Sequence, residues 1–299
     1  MPRTAARPAA PRPAARPATP RGSASSSPRV AAAALAAALA ATALAAVAPA
    51  DAASGRSTTA PRATSTGCQG KAFLYGIRAD ATLTFTAVNA GTNEQTRKFA
   101  GPKLPFTPRA MATLDQDTIL ATSTTGALYR IDVTDNATRL AATTTRLASS
   151  GWTHDKLAAD GVGHLFGTIG SNNMLMRYDV AGSRPTAASI TRPTRIGAIY
   201  TLTSMTATGG GQLVGTTESG KLLGYKAIGE GRFEARTLLT SGFTGVDRVT
   251  SAGSGVFYAR TAAGGALTTR RDANVGDQSG ADISTVGVVA SSGWTQKLL

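Results

Sequence analysis

The sequence predicts an all-β protein, a five-bladed β-propeller with four antiparallel strands in each blade, preceded by a disordered leader. Past residue 67, short runs of β-forming residues alternate with Gly, Asn, Asp and Ser clusters, and no helical periodicity is present. Five segments repeat one pattern at nearly constant intervals. The last repeat is truncated after a single strand, and the first lacks that strand. A closed ring of five units accounts for all three observations.

The first 52 residues resemble an export leader. Residues 1–29 contain only Ala, Arg, Pro, Ser, Thr and Gly apart from Met1, and an uncharged Ala/Leu run follows from Val30 to Val47. Small residues at Ala50 and Ala52 suit a signal peptidase. We therefore expect a cleaved signal over 1–52, a flexible linker over 53–69, a propeller over 70–299, and a secreted product with no stable membrane insertion after cleavage. A transmembrane anchor and a downstream start codon are the alternatives.

Charge limits the classes of partner. The chain carries a net charge of +14, and the 25 basic and 16 acidic residues after residue 52 leave +9. Such a chain is attracted to anionic polymers, including those of a cell wall. The basic residues are scattered, however, with adjacent pairs only at Arg97-Lys98 and Arg270-Arg271, so no nucleic-acid groove is predicted. The single cysteine, Cys68, allows no intramolecular disulfide.

The repeat is anchored by a small residue after two large apolar ones. The anchors are separated by 45, 46, 48 and 44 residues, and they are Gly76, Ala121, Gly167, Gly215 and Ala259. A unit of this length holds four short strands with their turns, which is the size of one propeller blade.

An aromatic residue recurs at the same interval. It stands 15 or 16 residues before four anchors and once after the last, and the positions are Phe106, Trp152, Tyr200, Phe243 and Trp294. Glycine precedes three of these aromatics, while Pro105 and Ile199 precede the other two. The motif thus varies between units but persists in all five.

The third unit shows the expected strand order. From the innermost strand outward we predict strands over Lys156–Ala159, Leu165–Ile169, Met174–Val180 and Ala187–Thr191. Asn172-Asn173 supplies the turn between the second and third strands, as Gly126, Gly220 and Gly264-Gly265 do elsewhere, because these residues tolerate positive φ.

The two ends of the folded region are predicted to share one blade. The final stretch, SSGWTQKLL, matches SSGWTHDKL of residues 149–157 but has no second strand behind it. We expect residues 294–299 to pair beside Phe73–Ile77, which would leave no open sheet edge in the ring.

A glycine-tryptophan strand followed by a strand of LYG type, with a truncated final GW strand, resembles the tachylectin family of five-bladed propeller lectins. The resemblance covers residues 70–299. It implies binding of N-acetylated amino sugars at repeated sites between blades, each formed by the loop joining the two outer strands and the segment leading into the next blade. The tryptophan motif that opens the family's outermost strand is missing here, and only two of the five inter-blade positions hold Trp.

The candidate ligand-binding residues follow from that transfer. A sugar-binding site needs a flat apolar face that stacks on the C–H groups of the sugar, together with short polar groups that bond its hydroxyls. The candidates are Ser150, Gly151, Trp152, Gly242, Phe243, Ser292, Gly293, Trp294, Asp135 and Asn136. Two alternatives stay open: that the rings are packing wedges between blades, and that Asp135-Asn136 is an ordinary turn.

The sequence gives little support for phosphate binding, metal binding or hydrolysis. GTTESGK at 215–221 ends in Leu222 where a phosphate loop needs Ser or Thr, so it is read as a hairpin turn. His154 and His164 lack a cysteine cluster, and no metal or other cofactor is predicted. No hydrolase motif is evident, and the weak carboxylate candidates at the channel are Asp115, Asp117, Asp155 and Asp160.

The sequence therefore favours a secreted, non-catalytic lectin that recognises N-acetylglucosamine-type glycans or a cell-wall polymer. The alternative is a propeller scaffold that binds protein or an anionic wall polymer through a basic face. A glycoside hydrolase is the third hypothesis.

Overall fold

A computed structural model describes residues 70–135 and 138–299, and these residues form a five-bladed β-propeller. Four sheets have four antiparallel strands, and the fifth has three strands completed by the last residues of the chain. The predicted fold class is thereby confirmed. The predicted leader and linker, residues 1–69, lie outside the described residues, as does Cys68. No helix within the described ranges could span a membrane.

The blades follow one another in chain order. Blade 1 contains β1 (Lys71–Ile77), β2 (Thr82–Asn89) and β3 (Gln95–Lys103). Blade 2 contains β4 (Pro108–Thr113), β5 (Thr118–Ser123), β6 (Leu128–Asp135) and β7 (Leu140–Ala148). Blade 3 contains β8 (His154–Ala159), β9 (His164–Ile169), β10 (Met174–Val180) and β11 (Ile190–Ala198). Blade 4 contains β12 (Ser204–Gly209), β13 (Gln212–Thr216), β14 (Leu222–Gly229) and β15 (Arg232–Leu239). Blade 5 contains β16 (Val246–Gly253), β17 (Val256–Thr261), β18 (Leu267–Asp272) and β19 (Ile283–Ala290).

The C-terminal segment closes the ring beside β1. Ile77 and Leu298 form an antiparallel bridge in which the Ile77 N–H donates to the Leu298 carbonyl at 3.0 Å and the Leu298 N–H donates back at 3.1 Å. Trp294 is 3% exposed and packs in the apolar cluster between blades 5 and 1. The predicted closure is confirmed, although the backbone pairing is confined to Ile77 rather than extending over Phe73–Ile77.

The ring has two faces, which we name by the direction of the innermost strands. The entry face is where these strands begin, and it carries the hairpins between the second and third strands of each blade. The exit face is where they end, and it carries the hairpins between the first and second strands and the loops between the third and outermost strands.

One hydrogen bond recurs at every junction between blades. Just before each third strand, a residue of positive φ uses its carbonyl to accept the N–H of a residue in the segment that leads into the next blade, at 2.8 to 3.1 Å. The acceptor and donor pairs are Ala81 and Leu104, Gly126 and Trp152, Asn173 and Ile199, Gly220 and Phe243, and Gly265 and Trp294.

These contacts correct the alignment of the aromatic motif. The structural equivalents of Trp152 are Leu104 and Ile199, whereas the sequence pattern had selected Phe106 and Tyr200. The position requires a large apolar side chain, since each of the five apolar clusters between adjacent blades contains or contacts one of them. The motif is therefore defined by a large apolar side chain that fills the space between blades, whether or not that side chain is aromatic.

In blade 3 the predicted third strand is confirmed, whereas the predicted outermost strand is wrong in its position. Met174–Val180 is the third strand as predicted, and Asn173 has φ of 52° in the turn before it. The outermost strand was placed too early at Ala187–Thr191: residues 187–189 form a short 3-10 helix, and the strand begins at Ile190. Mutual side-chain hydrogen bonds between Thr186 and Ser189 stabilise that turn against the extended conformation.

Candidate functional site

The predicted site residues divide between the two faces. Ser150–Trp152, Gly242–Phe243 and Ser292–Trp294 lead into new blades on the entry face, whereas Asp135 ends β6 on the exit face. Strand β7, nine residues or about 30 Å long, separates Asp135 from Ser150. The structure therefore does not bring the outer loop and the inter-blade segment together in one site. Asn136 lies outside the described residues.

The three predicted rings differ in accessibility. Phe243 is 0% and Trp294 3% exposed, so both rings pack between blades, as one of the two alternatives anticipated. Trp152 is half-buried, with its ring centroid 4.6 Å from Tyr178 and 5.6 Å from His154. Of the three, only Trp152 keeps part of its ring accessible.

The small residues beside these rings are exposed. Ser150, Gly151, Gly242, Ser292 and Gly293 all face solvent. The three glycines have φ between 88° and 93°, and a Cβ at any of them would contact nothing within 4 Å. Here glycine serves backbone conformation and not close approach, because the space around it is open.

Asp135 lines a cleft between blades 1 and 2. Its carboxylate is 2.7 Å from the Arg97 guanidinium, which lies over the Phe85 ring. Asp135, Asp117 and Arg184 line a cleft of about 320 Å³ together with aromatic side chains of blade 1. The side chain thus belongs to a charged cleft on the exit face.

A groove on the entry face centres on Tyr200. Its volume is about 630 Å³, within the range of about 300–1,000 Å³ typical of small-ligand sites. Tyr200 is 68% exposed, the largest value among the exposed large hydrophobic side chains of the described residues. The lining residues are Tyr200, Thr201, Thr217, Glu218, Ser219, Lys221, Leu223 and Thr237.

Local structure explains why Tyr200 projects outward. Its neighbour Ile199 occupies the apolar position between blades 3 and 4 and is 8% exposed. Thr201 is held on the other side, because its hydroxyl accepts a hydrogen bond from the Asn173 amide at 2.9 Å. Tyr200 lies between these two fixed residues, on the exposed part of the segment that leads into β12.

The opposite wall of the groove is the hairpin between β13 and β14. The Thr217 hydroxyl accepts the Lys221 N–H at 3.1 Å and lies 3.0 Å from the Ser219 hydroxyl. Gly220, with φ of 79°, completes the turn, and Glu218 and Lys221 are exposed beside it. The groove therefore offers one aromatic face, several hydroxyls, one carboxylate and one ammonium group.

The sequence predicts both components of this groove, the aromatic Tyr200 and the hairpin at 215–221, but it does not predict that they lie side by side. Tyr200 was recognised as part of the aromatic repeat, and GTTESGK was correctly read as a hairpin. The available signal was the pair Ile199-Tyr200: two large apolar side chains where three of the other four repeats have Gly before the aromatic. Only one of the two can enter the blade interface, so the other must project outward.

Two of the carboxylates considered for hydrolysis, Asp155 and Asp160, do not converge. Asp155 and Asp160 lie at opposite ends of β8. Asp155 is 2.8 Å from Lys156 and accepts the Thr168 hydroxyl at 2.7 Å, while Asp160 is 2.6 Å from the His164 ring. Within residues 70–135 and 138–299, no group of three or more His, Cys, Asp or Glu side chains could hold a metal ion.

Comparison with known proteins identifies no family for this chain. No family model and no curated protein matches the chain. Among solved structures, a functionally unknown protein from Desulfotomaculum acetoxidans has 10% identity and a TM-score of 0.40, covering 76% of this chain and 68% of its own. Candidate 6-phosphogluconolactonases from Bacteroides uniformis (13%, TM-score 0.41, covering 74% and 83%) and Bacteroides fragilis (7%, 0.40, covering 75% and 83%) are similar to it as well. None of these three is a tachylectin, and likenesses at this level say nothing about activity.

Proposed function

We propose that this protein binds carbohydrate, with the Tyr200 groove on the entry face as its principal site and N-acetylated amino sugars as its ligand class. The observation that supports the proposal is an exposed aromatic ring in a groove lined by hydroxyl groups. The resemblance of the repeats to tachylectins favours the same class and an inter-blade location. The expected setting is extracellular, where such glycans occur.

Each part of the groove has a role in this proposal. The Tyr200 ring would stack on the C–H face of a pyranose, while Thr201, Thr217 and Ser219 would exchange hydrogen bonds with its hydroxyls. Glu218 accepts from two vicinal hydroxyls, and Lys221 donates to an acetamido carbonyl. A single site of this kind on an open surface is weak, with a Kd on the order of 1 mM.

The test is binding of the full chain to a glycan array, followed by calorimetry on N-acetylglucosamine oligomers. Tyr200→Ala should lower the affinity by about tenfold, whereas Tyr200→Phe should retain most of it because the ring remains. Val288→Ala is the matched control, since Val288 is 58% exposed on the outermost strand of blade 5, away from the groove. Failure to bind any amino sugar, or equal affinity of Tyr200→Ala and the unmodified chain, would refute the proposal.

A second candidate function is binding of an anionic polymer at the entry end of the central channel. Four basic residues line this opening, namely Arg109, Lys156, Arg248 and Lys297, and among the described residues that line it Asp155 alone is acidic. Burial lowers the pKa of Arg248, and neighbouring Arg260 lowers it further against the opposing effect of Asp247. Binding of this kind should weaken steeply at roughly 0.5 M salt, whereas sugar binding should persist.

A further inference from the structure

A cavity occupies the exit end of the central channel. Its volume is about 410 Å³, and it lies among the ends of the innermost strands β4, β8, β12 and β16. It extends outward between blades 4 and 5, where Gln212 and Lys226 form one wall and Val275 and Gly276 another. We call it the channel cavity.

The inner part of the channel cavity is apolar. Met111, Leu157, Met205 and Leu299 line both this cavity and the narrow opening on the entry face, so they form a ring across the channel. Small side chains follow the larger ones along the same strands, and they include Ala112, Ala158, Ala159 and Ala207. Methionine adapts readily to an apolar guest because its side chain is flexible and polarizable.

Two buried polar side chains line the same cavity, and each has one polar atom without a hydrogen-bond partner among the described residues. Gln212 is 5% and Thr208 0% exposed, and both line the cavity. The Gln212 Nε2 and the Thr208 hydroxyl have no hydrogen-bond partner among residues 70–135 and 138–299. A buried donor without an acceptor is costly, and such groups call for a bound partner.

The wall of the channel cavity is rich in donors. Lys226 is paired directly with Gln212 across β13 and β14, and no acidic side chain of the described residues forms a salt bridge with it. The carboxylate lining the cavity, that of Asp160, already accepts from the Val162 and His164 N–H groups and contacts the His164 ring. Amide, hydroxyl and ammonium groups therefore line a cavity whose inner part is apolar.

We propose that the channel cavity binds a medium-chain carboxylic acid. Its alkyl chain contacts Met111, Leu157 and Met205 in the centre of the ring, and its carboxylate accepts from Lys226 and Gln212 at the wall. A carboxylate matches the donors because it accepts several hydrogen bonds and carries the opposite charge to Lys226. This site is distinct from the Tyr200 groove, which lies on the opposite face.

Calorimetry on the full chain with hexanoate, octanoate, decanoate and neutral 1-octanol tests the assignment. Each added CH₂ should raise the affinity by roughly fourfold until the cavity is filled. Lys226→Met should lower octanoate affinity by about tenfold and leave 1-octanol unchanged. Gln212→Leu should weaken octanoate as well. Lys221→Met is the matched control, because Lys221 lies on the entry face.

Circular dichroism and thermal unfolding of each variant show whether it folds. Chain-length dependence together with selective loss in folded Lys226→Met supports the proposal. Three results would overturn it: absence of heat with all four compounds, equal octanoate affinity in Lys226→Met and the unmodified chain, or an equal loss in Lys221→Met, which would indicate attraction to surface charge. Retained glycan binding in Lys226→Met would separate this outcome from any failure at the Tyr200 groove.

Discussion

Arg260→Met should weaken the closure of the ring. Arg260 lies in β17 and is 8% exposed. Its guanidinium pairs with the Asp247 carboxylate, with Nε donating to Oδ1 at 2.9 Å, and donates through Nη1 to the carbonyls of Trp294 and Gln296. One side chain thus joins blade 5 to the segment that completes blade 1. Methionine fills similar space but can make none of these hydrogen bonds.

The expected loss can be estimated from these contacts. Removing one partner of a buried ion pair costs about 3–5 kcal/mol. The lower end applies, because the Asp247 side chain is 23% exposed and Arg248 lies 3.9 Å from it. A loss of about 3 kcal/mol corresponds to a fall in Tm of roughly 6–12 °C for a domain of this size.

Urea unfolding followed by circular dichroism measures the change in the free energy of unfolding. Hydrogen exchange at Ile77 and Leu298 should rise in the variant, because their mutual hydrogen bonds close the ring. Arg236→Met is the matched control: Arg236 is exposed on an outermost strand, and its loss should change stability by under about 0.5 kcal/mol. Equal destabilisation by both substitutions would refute the assigned role of Arg260.

Two further predictions concern the packing of β8 against β9. Burial lowers the pKa of His154 below 6.5, so the native state binds fewer protons than the unfolded state and stability should fall as pH drops below about 6.5, by at most about 1.4 kcal/mol per pH unit. His154→Phe should flatten that pH dependence in urea titrations, and parallel curves would contradict the assignment. Gly167→Ala should destabilise by about 1–3 kcal/mol, since its Cβ would lie 2.6 Å from the His154 ring, while Gly229→Ala, with nothing within 4 Å, should change little. Similar unfolding midpoints for the two alanine variants would show that the site can relax.

The fold was predictable because its signals are local and repeated. Anchor spacing gave the number of blades, and the mismatch between the first and last repeats gave the closure. The outermost strand of blade 3 was misplaced because Thr186 and Ser189 stabilise a turn through contacts that periodicity does not encode. An outer strand with one packed face also carries a weaker apolar pattern than an inner one.

The candidate site was less predictable, because exposure depends on which residue enters the blade interface. Sequence spacing aligned Tyr200 with Trp152, but the hydrogen bond from Ile199 to Asn173 shifts the register by one residue and turns Tyr200 outward. The same spacing could not show that Phe243 and Trp294 are buried. Nor could it assemble the channel cavity, whose walls come from strands far apart in the chain.

The bridge between Ile77 and Leu298 also has a consequence for biosynthesis. As the nascent polypeptide leaves the ribosome, β1 presents an unpaired edge until residues 294–299 have been made. An edge of this kind can pair with a neighbouring chain while synthesis continues. A chaperone that shields β1 would therefore act before residues 294–299 reach it.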